Sequence, residues 1–402
     1  MAKSLSSLWL KNLRRLNRTQ QTQGRKLLKS LLPKAPRAPA ARRVKAVRKA
    51  APVKAAKPLK TVRPLKHRLT APAASAAPAQ PAAGLPGVWK QSWFAVPAAG
   101  PVAPARRLLY WLYLPSAASR AASAPLPLVV MLHGCQQTAA DFAASTRMNR
   151  LAERKGFAVL YPQQSGTADA HRCWHWYQRS TQQGLGEVRQ IAQLVAQLQG
   201  RHALDASRTY VAGLSAGAAL AGLLALHHPG LFAAAGLHSA PVLGTTDSAL
   251  GAYRAMQHGA GLAHGEAARA FVKALPQSAG AQGMPAILIH GARDAVVRRI
   301  NMQQLTGQFV IVNQAALAQT EPVLRNYPGR AGGRHPRHAY QSATYYAGRK
   351  PQLMRCEIAG LGHAWSGGDG GLAFSAPEGP DATLMMWSFF SRHRREPVPG
   401  SG

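Results

Sequence analysis

The stretch RTYVAGLSAGAALAGLLALHHP, residues 208–229, decides the fold. Its first part is apolar and typical of a buried strand, whereas the run after Ser215 is rich in Ala and Leu, as in a helix. A G-x-S-x-G segment, residues 213–217, lies at the junction. Such a strand-to-helix turn raises its serine above the sheet, and glycines beside it let the strained backbone pack. We therefore predict that Ser215 is a nucleophile, with a helix N-cap serine as the alternative.

Strand-like and helix-like segments alternate on both sides of this turn. The segment 126–134 is apolar throughout, which is typical of a strand buried on both faces of a parallel sheet. The strand-like segments are 106–115, 126–134, 157–162, 208–215, 232–240, 284–294 and 352–365. The helix-like segments are 141–156, 186–202, 216–229 and 380–393. This alternation predicts an α/β domain over residues 88–395 with a doubly wound, mostly parallel sheet.

Basic residues greatly outnumber acidic ones. The 402 residues include 50 Lys or Arg and 14 Asp or Glu, which gives a formal net charge of +36. Residues 1–87 are rich in Ala, Pro and Lys, and the first acidic residue of the chain is Asp141. This composition predicts a basic tail over residues 1–87 that is disordered except for a possible short amphipathic helix at 5–32. Its expected partners are nucleic acid, anionic lipid or a granule surface.

The scarcity of acids narrows the search for a carboxylate and a histidine that could activate Ser215. Around a serine of this kind, the chain order is serine, acid, histidine. Asp294 directly follows the strand-like segment PAILIHGA, and Asp247, one strand earlier, is the alternative. His363 follows the last strand-like segment, within GLGHAWSGG. We predict that Asp294 and His363 are the partners of Ser215. The alternatives are that Asp294 is a solvated surface aspartate and that His363 is an incidental loop histidine.

Two backbone amides could stabilise the charge of a tetrahedral intermediate formed on Ser215. One belongs to Ala216, directly after the serine, and the other to Cys135. Cys135 lies in HGCQ at the end of a buried strand, where a tight turn without function is the alternative.

The segment 171–176, HRCWHW, has His171, Cys173 and His175 at alternate positions. Alternate residues of a strand share a face, as metal ligands can. No second cluster completes a tetrahedral site, so we expect no metal and no other cofactor.

Three tryptophans are candidates for substrate contact. Trp174 and Trp176 would share one face of the same short segment, and Trp365 follows His363 closely. Aromatic rings at the rim of a site can contact an apolar substrate, and packing in the core is the alternative.

Six segments occur in order along residues 88–395, and together they resemble one known family. The segments are HGCQQTAADFA (133–143), CWHW (173–176), GLSAG (213–217), HGARDAVV (290–297), GLGHAWSGG (360–368) and GPDATLMMWSFF (379–390). They resemble the poly(3-hydroxybutyrate) depolymerase family of esterases, which is related to feruloyl and acetylxylan esterases. The resemblance implies an α/β-hydrolase fold and a triad of Ser215, Asp294 and His363. It also implies an oxyanion hole made by the amides of Cys135 and Ala216.

The resemblance also makes a prediction about the cysteines, and the sequence departs from the family pattern at one position. The resemblance implies a disulfide between Cys135 and Cys173 that fixes the oxyanion loop. We expect this bridge, with Cys356 buried and free, if the protein reaches an oxidising compartment, and three reduced thiols in the cytoplasm. Ala218 departs from the family pattern, which usually has a second glycine there, and its methyl group could crowd the helix start.

These observations predict a serine esterase that hydrolyses esters of hydroxyacids, such as poly(3-hydroxybutyrate) or its oligomers, through an acyl-enzyme. One alternative is a carbohydrate esterase of the feruloyl or acetyl type. Another is a protein that binds polyanions or granules through its basic tail. No run reaches the ~18 apolar residues of a membrane span. The start of the chain lacks the apolar core and cleavage site of a signal peptide, so we expect a cytoplasmic location, with an extracellular one as the alternative.

Overall fold

The structure is a computed structural model, and it describes residues 84–97, 106–119, 124–261, 264–276, 283–317, 321–332 and 336–395. The predicted helix at 5–32 and nearly all of the predicted basic tail lie outside these residues. The described residues all belong to one compact unit. Among the helices of these ranges, none combines the length and the apolar character that crossing a membrane requires.

Strands and helices alternate through the middle of the domain. The strands are β1 (Val88–Val96), β2 (Arg106–Leu114), β3 (Leu126–Leu132), β4 (Ala158–Gln163), β5 (Leu204–Leu214), β6 (Ala234–His238), β7 (Ala286–Gly291), β8 (Val323–Tyr327), β9 (Tyr340–Ala347), β10 (Lys350–Ile358), β11 (Trp365–Ser366) and β12 (Ser375–Ala376). The helices are α1 (Ala139–Thr146), α2 (Met148–Lys155), α3 (Arg179–Gln182), α4 (Gly186–Arg201), α5 (Ala216–His227), α6 (Ala249–His258), α7 (His264–Lys273), α8 (Ile300–Val312) and α9 (Ala382–Phe390).

Ten strands form one sheet in the order β1-β2-β4-β3-β5-β6-β7-β10-β9-β8. The central pairs from β4 to β10 are parallel, and the pairs at the two edges are antiparallel. The chain passes from β4 across β3 to β5, so the winding reverses between β3 and β5. This order confirms the prediction of a doubly wound, mostly parallel sheet. A crevice at the carboxyl ends of the strands is expected where the winding reverses.

The core lies around β3 and α5. Every residue of β3 is buried, as its continuous apolar sequence predicts. Helix α5 is buried from Ala216 to Leu226 because its Ala and Leu side chains leave no polar face. It fixes the position of the turn that precedes it.

The structure corrects the prediction of a single helix over 141–156. Arg147 has a left-handed φ of 55°, and this residue ends α1 and begins α2. Its N–H donates to the carbonyl oxygen of Ala144, 3.3 Å away. A helix cannot continue through a left-handed residue, so the segment forms two short helices.

Candidate active site

A strained turn holds Ser215 between β5 and α5. Ser215 has φ 57° and ψ −122°, a region that a residue with a side chain rarely adopts. A Cβ atom on Gly213 would collide with the backbone of Gly217, and one on Gly217 would collide with the carbonyl oxygen of Leu132. The glycines on both sides of the serine are therefore required by close backbone contacts.

The side chain of Ser215 does not cap the helix. It makes no capping hydrogen bond to α5, and the residue is 7% exposed. Its N–H donates to the carbonyl oxygen of His238 over 2.9 Å. Ser215 thus occupies the N-cap position, but its hydroxyl group does not serve as a cap. Ala218 is buried in α5, which nevertheless begins at Ala216.

Asp294 and His363 form a hydrogen-bonded pair. His363 Nδ1 donates to Asp294 Oδ2 over 2.8 Å, and the amides of Val296 and Val297 both donate to Oδ1 over 2.9 Å. Burial by itself raises the pKa of Asp294, but the hydrogen bond and charge of His363 outweigh it and hold this pKa below its usual value. Asp294 therefore stays ionised and fixes the imidazole with its proton on Nδ1.

The loops that carry the pair are packed tightly together. A Cβ atom on Gly291, at the end of β7, would collide with the carbonyl oxygen of Leu361. Arg293 N–H also donates to this oxygen over 2.9 Å. Asp247, by contrast, is exposed in a loop before α6, whereas Asp294 is bonded to His363. Of the two candidate acids, Asp294 is therefore the one that the structure pairs with a histidine, and its role as the acid stays a prediction.

Strand direction explains why these distant residues meet. Ser215 follows β5, Asp294 follows β7, and His363 follows β10. These three strands and β6, which lies between β5 and β7, are parallel neighbours in one sheet. Their carboxyl ends therefore lie at the same edge.

Two buried histidines beside the pair were missed by the sequence analysis. His290 Nε2 donates to the carbonyl oxygen of Val297 over 2.8 Å and lies 3.8 Å from Asp294 Oδ2. His238 Nε2 accepts from Ser366 N–H over 3.3 Å. Since the carbonyl oxygen of His238 also binds the Ser215 amide, His238 joins the serine turn to the loop of His363. Burial lowers the pKa of His238 to about 3, so its ring is neutral.

A second loop, residues 133–137, lies against the serine turn after β3. A Cβ atom on Gly134 would lie 3.6 Å from Cβ of Ser215. His133 Nδ1 donates to the carbonyl oxygen of Gly134 over 2.8 Å, and its Nε2 accepts from Gln164 N–H over 3.1 Å. Burial lowers the pKa of His133 to about 4, so the ring is neutral and can both donate and accept.

The segment 171–176 fixes this loop from outside. Cys135 forms a disulfide with Cys173, the pairing that the family resemblance implies, and Gln136 N–H donates to the carbonyl oxygen of His171 over 2.6 Å. Trp174 Nε1 donates to the carbonyl oxygen of His133 over 3.1 Å. These bonds hold the loop 133–137 against the segment 171–176. Cys356 is free and buried, as predicted.

The three tryptophans predicted to contact substrate are buried instead. Trp174, Trp176 and Trp365 are 1%, 3% and 0% exposed. Trp365 stacks on the ring of His238, and its Nε1 donates to Thr383 Oγ1 over 3.1 Å. Their sequence positions could not distinguish a rim from a core, and the packing in the structure shows that the prediction of substrate contact was wrong.

The alternating residues His171, Cys173 and His175 do not form a metal site. Cys173 is in the disulfide, and His175 Nδ1 lies 2.9 Å from Glu187 Oε1. Among the described residues, no group of three or more His, Cys, Asp or Glu side chains is placed to hold a metal ion.

Known proteins resemble this chain both in sequence and in fold. The family model for the esterase PHB depolymerases matches residues 108–321, more than half of the chain. Poly(3-hydroxyalkanoate) depolymerase C of Paucimonas lemoignei is 34% identical over 247 residues, which are 59% of this chain and 54% of that protein. Acetylxylan esterase A of Emericella nidulans is 36% identical over 129 residues, 31% of this chain and 40% of that protein.

The chain thus spans about half the length of the first of these relatives. An acetyl xylan esterase from Aspergillus awamori has the same fold, with a TM-score of 0.57 and 19% identity over 75% of this chain and 99% of that one. This shared fold is that of the α/β hydrolases, which confirms the fold class predicted for the chain. Because the family model matches more than half of its residues, the chain belongs to the esterase PHB depolymerase family.

Proposed function

We propose that this protein is a serine esterase that hydrolyses esters of short hydroxyacids, including oligomers of 3-hydroxybutyrate. One observation carries the proposal: the ionised Asp294 holds the Nδ1 proton of His363 over 2.8 Å, at the same edge of the sheet as the strained turn of Ser215. The name of the depolymerase relative supports the polyester substrate.

In the proposed mechanism, His363 Nε2 removes the proton from Ser215 Oγ as this oxygen attacks the ester carbonyl carbon. The tetrahedral intermediate collapses when the bond to the alcohol oxygen breaks, and His363 returns the proton to that oxygen. The acyl group remains on Ser215. Water then attacks the acyl-enzyme by the same route, so that the acid leaves and the serine proton is restored.

The surrounding groups supply the electrostatics of each step. Asp294 stabilises the imidazolium form of His363 while the proton is held there. The amides of Cys135 and Ala216 are proposed to donate to the oxyanion. Ala216 is the first residue of α5, where backbone N–H groups have no partner within the helix. Fixed donors of this kind typically contribute ~10²–10³ in kcat each.

A carbohydrate esterase of the acetyl or feruloyl type is the second candidate. It is favoured by the acetylxylan esterase relatives, which are 35% and 36% identical over about a third of this chain. Both candidates use the same chemistry and differ in the acyl group and the alcohol.

Hydrolysis rates decide between them and test the proposal itself. We would compare p-nitrophenyl acetate and butyrate, 3-hydroxybutyrate oligomers, polyhydroxybutyrate granules, acetylated xylan and a feruloyl ester. Ser215→Ala should lose up to ~10⁶ in kcat on the best substrate, because the nucleophile alone is removed. A folded Ser215→Ala protein that keeps more than a few per cent of activity would contradict the proposal.

A further inference from the structure

A groove of about 910 Å³ lies beside the disulfide-linked loop. One wall is the end of β4 with the loop 164–168 that follows it, and another is the start of β2, because β2 runs antiparallel to β4 and Leu109 pairs with Gln163. Thr138 and Arg172 complete the side nearest the loop 133–137. The groove therefore opens at the same edge of the sheet as the candidate active site.

The groove is within reach of an ester bound at Ser215. Gly134 lies against Ser215, and Thr138, which lines the groove, is four residues further along the chain. Since a chain extends at most ~3.6 Å per residue, the separation from Gly134 to Thr138 is at most about 14 Å. A flexible ester oligomer of a few units spans such a distance.

The charge of the groove is positive. Arg106, Arg107 and Arg172 line it, and none of the ion pairs among the described residues involves these three side chains. Glu187, which also lines it, is already bonded to the backbone N–H of His175 over 2.7 Å and to His175 Nδ1 over 2.9 Å.

The neighbouring carboxylate is also occupied. Asp169 Oδ1 accepts from the backbone amides of His171 and Cys173 over 2.8 and 3.1 Å, and its Oδ2 lies 3.6 Å from His175 Nε2. Both carboxylates therefore hold the segment 171–176 in place. Within the described part of the chain, the three arginines remain available to bind an anion.

The groove also offers an apolar surface. Trp93 is 51% exposed, and the guanidinium of Arg107 lies over its ring, 5.6 Å from the centroid. An aromatic ring beside arginines suits a ligand with an apolar chain and a carboxylate end.

From these features, and resting on the proposed function, we infer that the groove binds the free carboxylate end of a hydroxyacid oligomer. In such an oligomer, the part that leaves as the alcohol carries the terminal carboxylate. The groove would hold this leaving part through Arg172 and Arg107 while Ser215 attacks the ester bond. The protein would then prefer soluble oligomers with a free carboxylate over the same oligomers with a neutral end.

The test compares two trimers of 3-hydroxybutyrate, one with its free carboxylate and one with that group converted to a primary amide. Arg172→Gln should raise KM for the free trimer about tenfold, the equivalent of ~1.4 kcal/mol, because a charge-assisted hydrogen bond is lost. KM for the amide trimer and for p-nitrophenyl butyrate should change less than about twofold, because neither carries the charge. Arg107→Gln, at the exposed start of β2, should shift KM in the same direction, and it serves if Arg172→Gln fails to fold.

Arg349→Gln is the matched control, since Arg349 is exposed between β9 and β10 at the other end of the sheet. It should leave both trimers unaffected. Equal KM values of the unmodified protein for the two trimers, or an equal effect of the arginine variants on both, would overturn the inference while leaving the proposed function intact. If the unmodified protein hydrolyses no ester at all, the proposed function and the inference both fail.

Discussion

Replacing Asp294 by Asn tests the role of the hydrogen-bonded pair with little change of shape. The amides of Val296 and Val297 both donate to Asp294 Oδ1, so the carbonyl oxygen of the substituted side chain must take that position. The amide nitrogen of the new side chain then faces His363 Nδ1 and can only donate to it. The proton of the imidazole must then move to Nε2, and a protonated Nε2 can no longer accept the proton of Ser215. We expect kcat to fall by about 10⁴, the effect of a wrong tautomer at such a site.

The assay is hydrolysis of p-nitrophenyl butyrate near neutral pH with matched amounts of folded protein, checked by circular dichroism. Asp247→Asn is the control, because Asp247 is exposed and distant in the chain from the pair. It should keep full activity. An Asp294→Asn protein with more than a tenth of the original kcat, or a loss confined to Asp247→Asn, would refute the reasoning.

The remaining predictions concern burial and charge. Burial lowers the pKa of His133 to about 4 and that of His238 to about 3. As the pH falls below ~6.5, the unfolded state therefore binds protons before the folded state does. The free energy of unfolding should then decrease by up to ~1.4 kcal/mol per pH unit for each ring. Urea unfolding at a series of pH values from ~7.5 down to ~4.5 measures this, and a flat profile would contradict it. Thiol titration under denaturing, non-reducing conditions should find one free thiol per chain, that of Cys356, whereas three would show that the disulfide is absent from the native protein. Deletion of residues 1–87 should leave small-ester hydrolysis nearly unchanged but weaken attachment to DNA, anionic lipid or granule surfaces. Binding of the full chain to DNA should fall with a log–log salt slope of ~0.9 for each phosphate neutralised, and equal binding by the truncated protein would contradict this role of the tail.

The sequence by itself determined the type of fold and predicted where the candidate site residues lie along the chain. Short-range patterns were sufficient for β3, β5 and α5, because a buried strand and a buried helix each need a continuous apolar run. The turn of Ser215 was predictable from the local G-x-S-x-G motif, although Gly217 is required by the backbone of Leu132 in another strand. The scarcity of acids and the chain order then pointed to Asp294 and His363.

Only the tertiary structure decided what those residues contact. Asp294 and His363 are 69 residues apart, and their bond depends on the order of β7 and β10 in the sheet and on the close packing of their loops. The antiparallel edge strands β1, β8 and β9 were not predicted, because their half-exposed sequences lack a continuous apolar run.

Burial was the second property that local sequence could not supply. A tryptophan has the same side chain at the rim of a site and in the core, so the interior positions of Trp174, Trp176 and Trp365 depend on which elements pack over them. The same is true of His238, whose ring and carbonyl join the serine turn to the loop of His363 only after β5, β6 and β10 have assembled. Local sequence determines strands, helices and turns, whereas contacts between distant segments exist only once the sheet order and the loop packing bring them together.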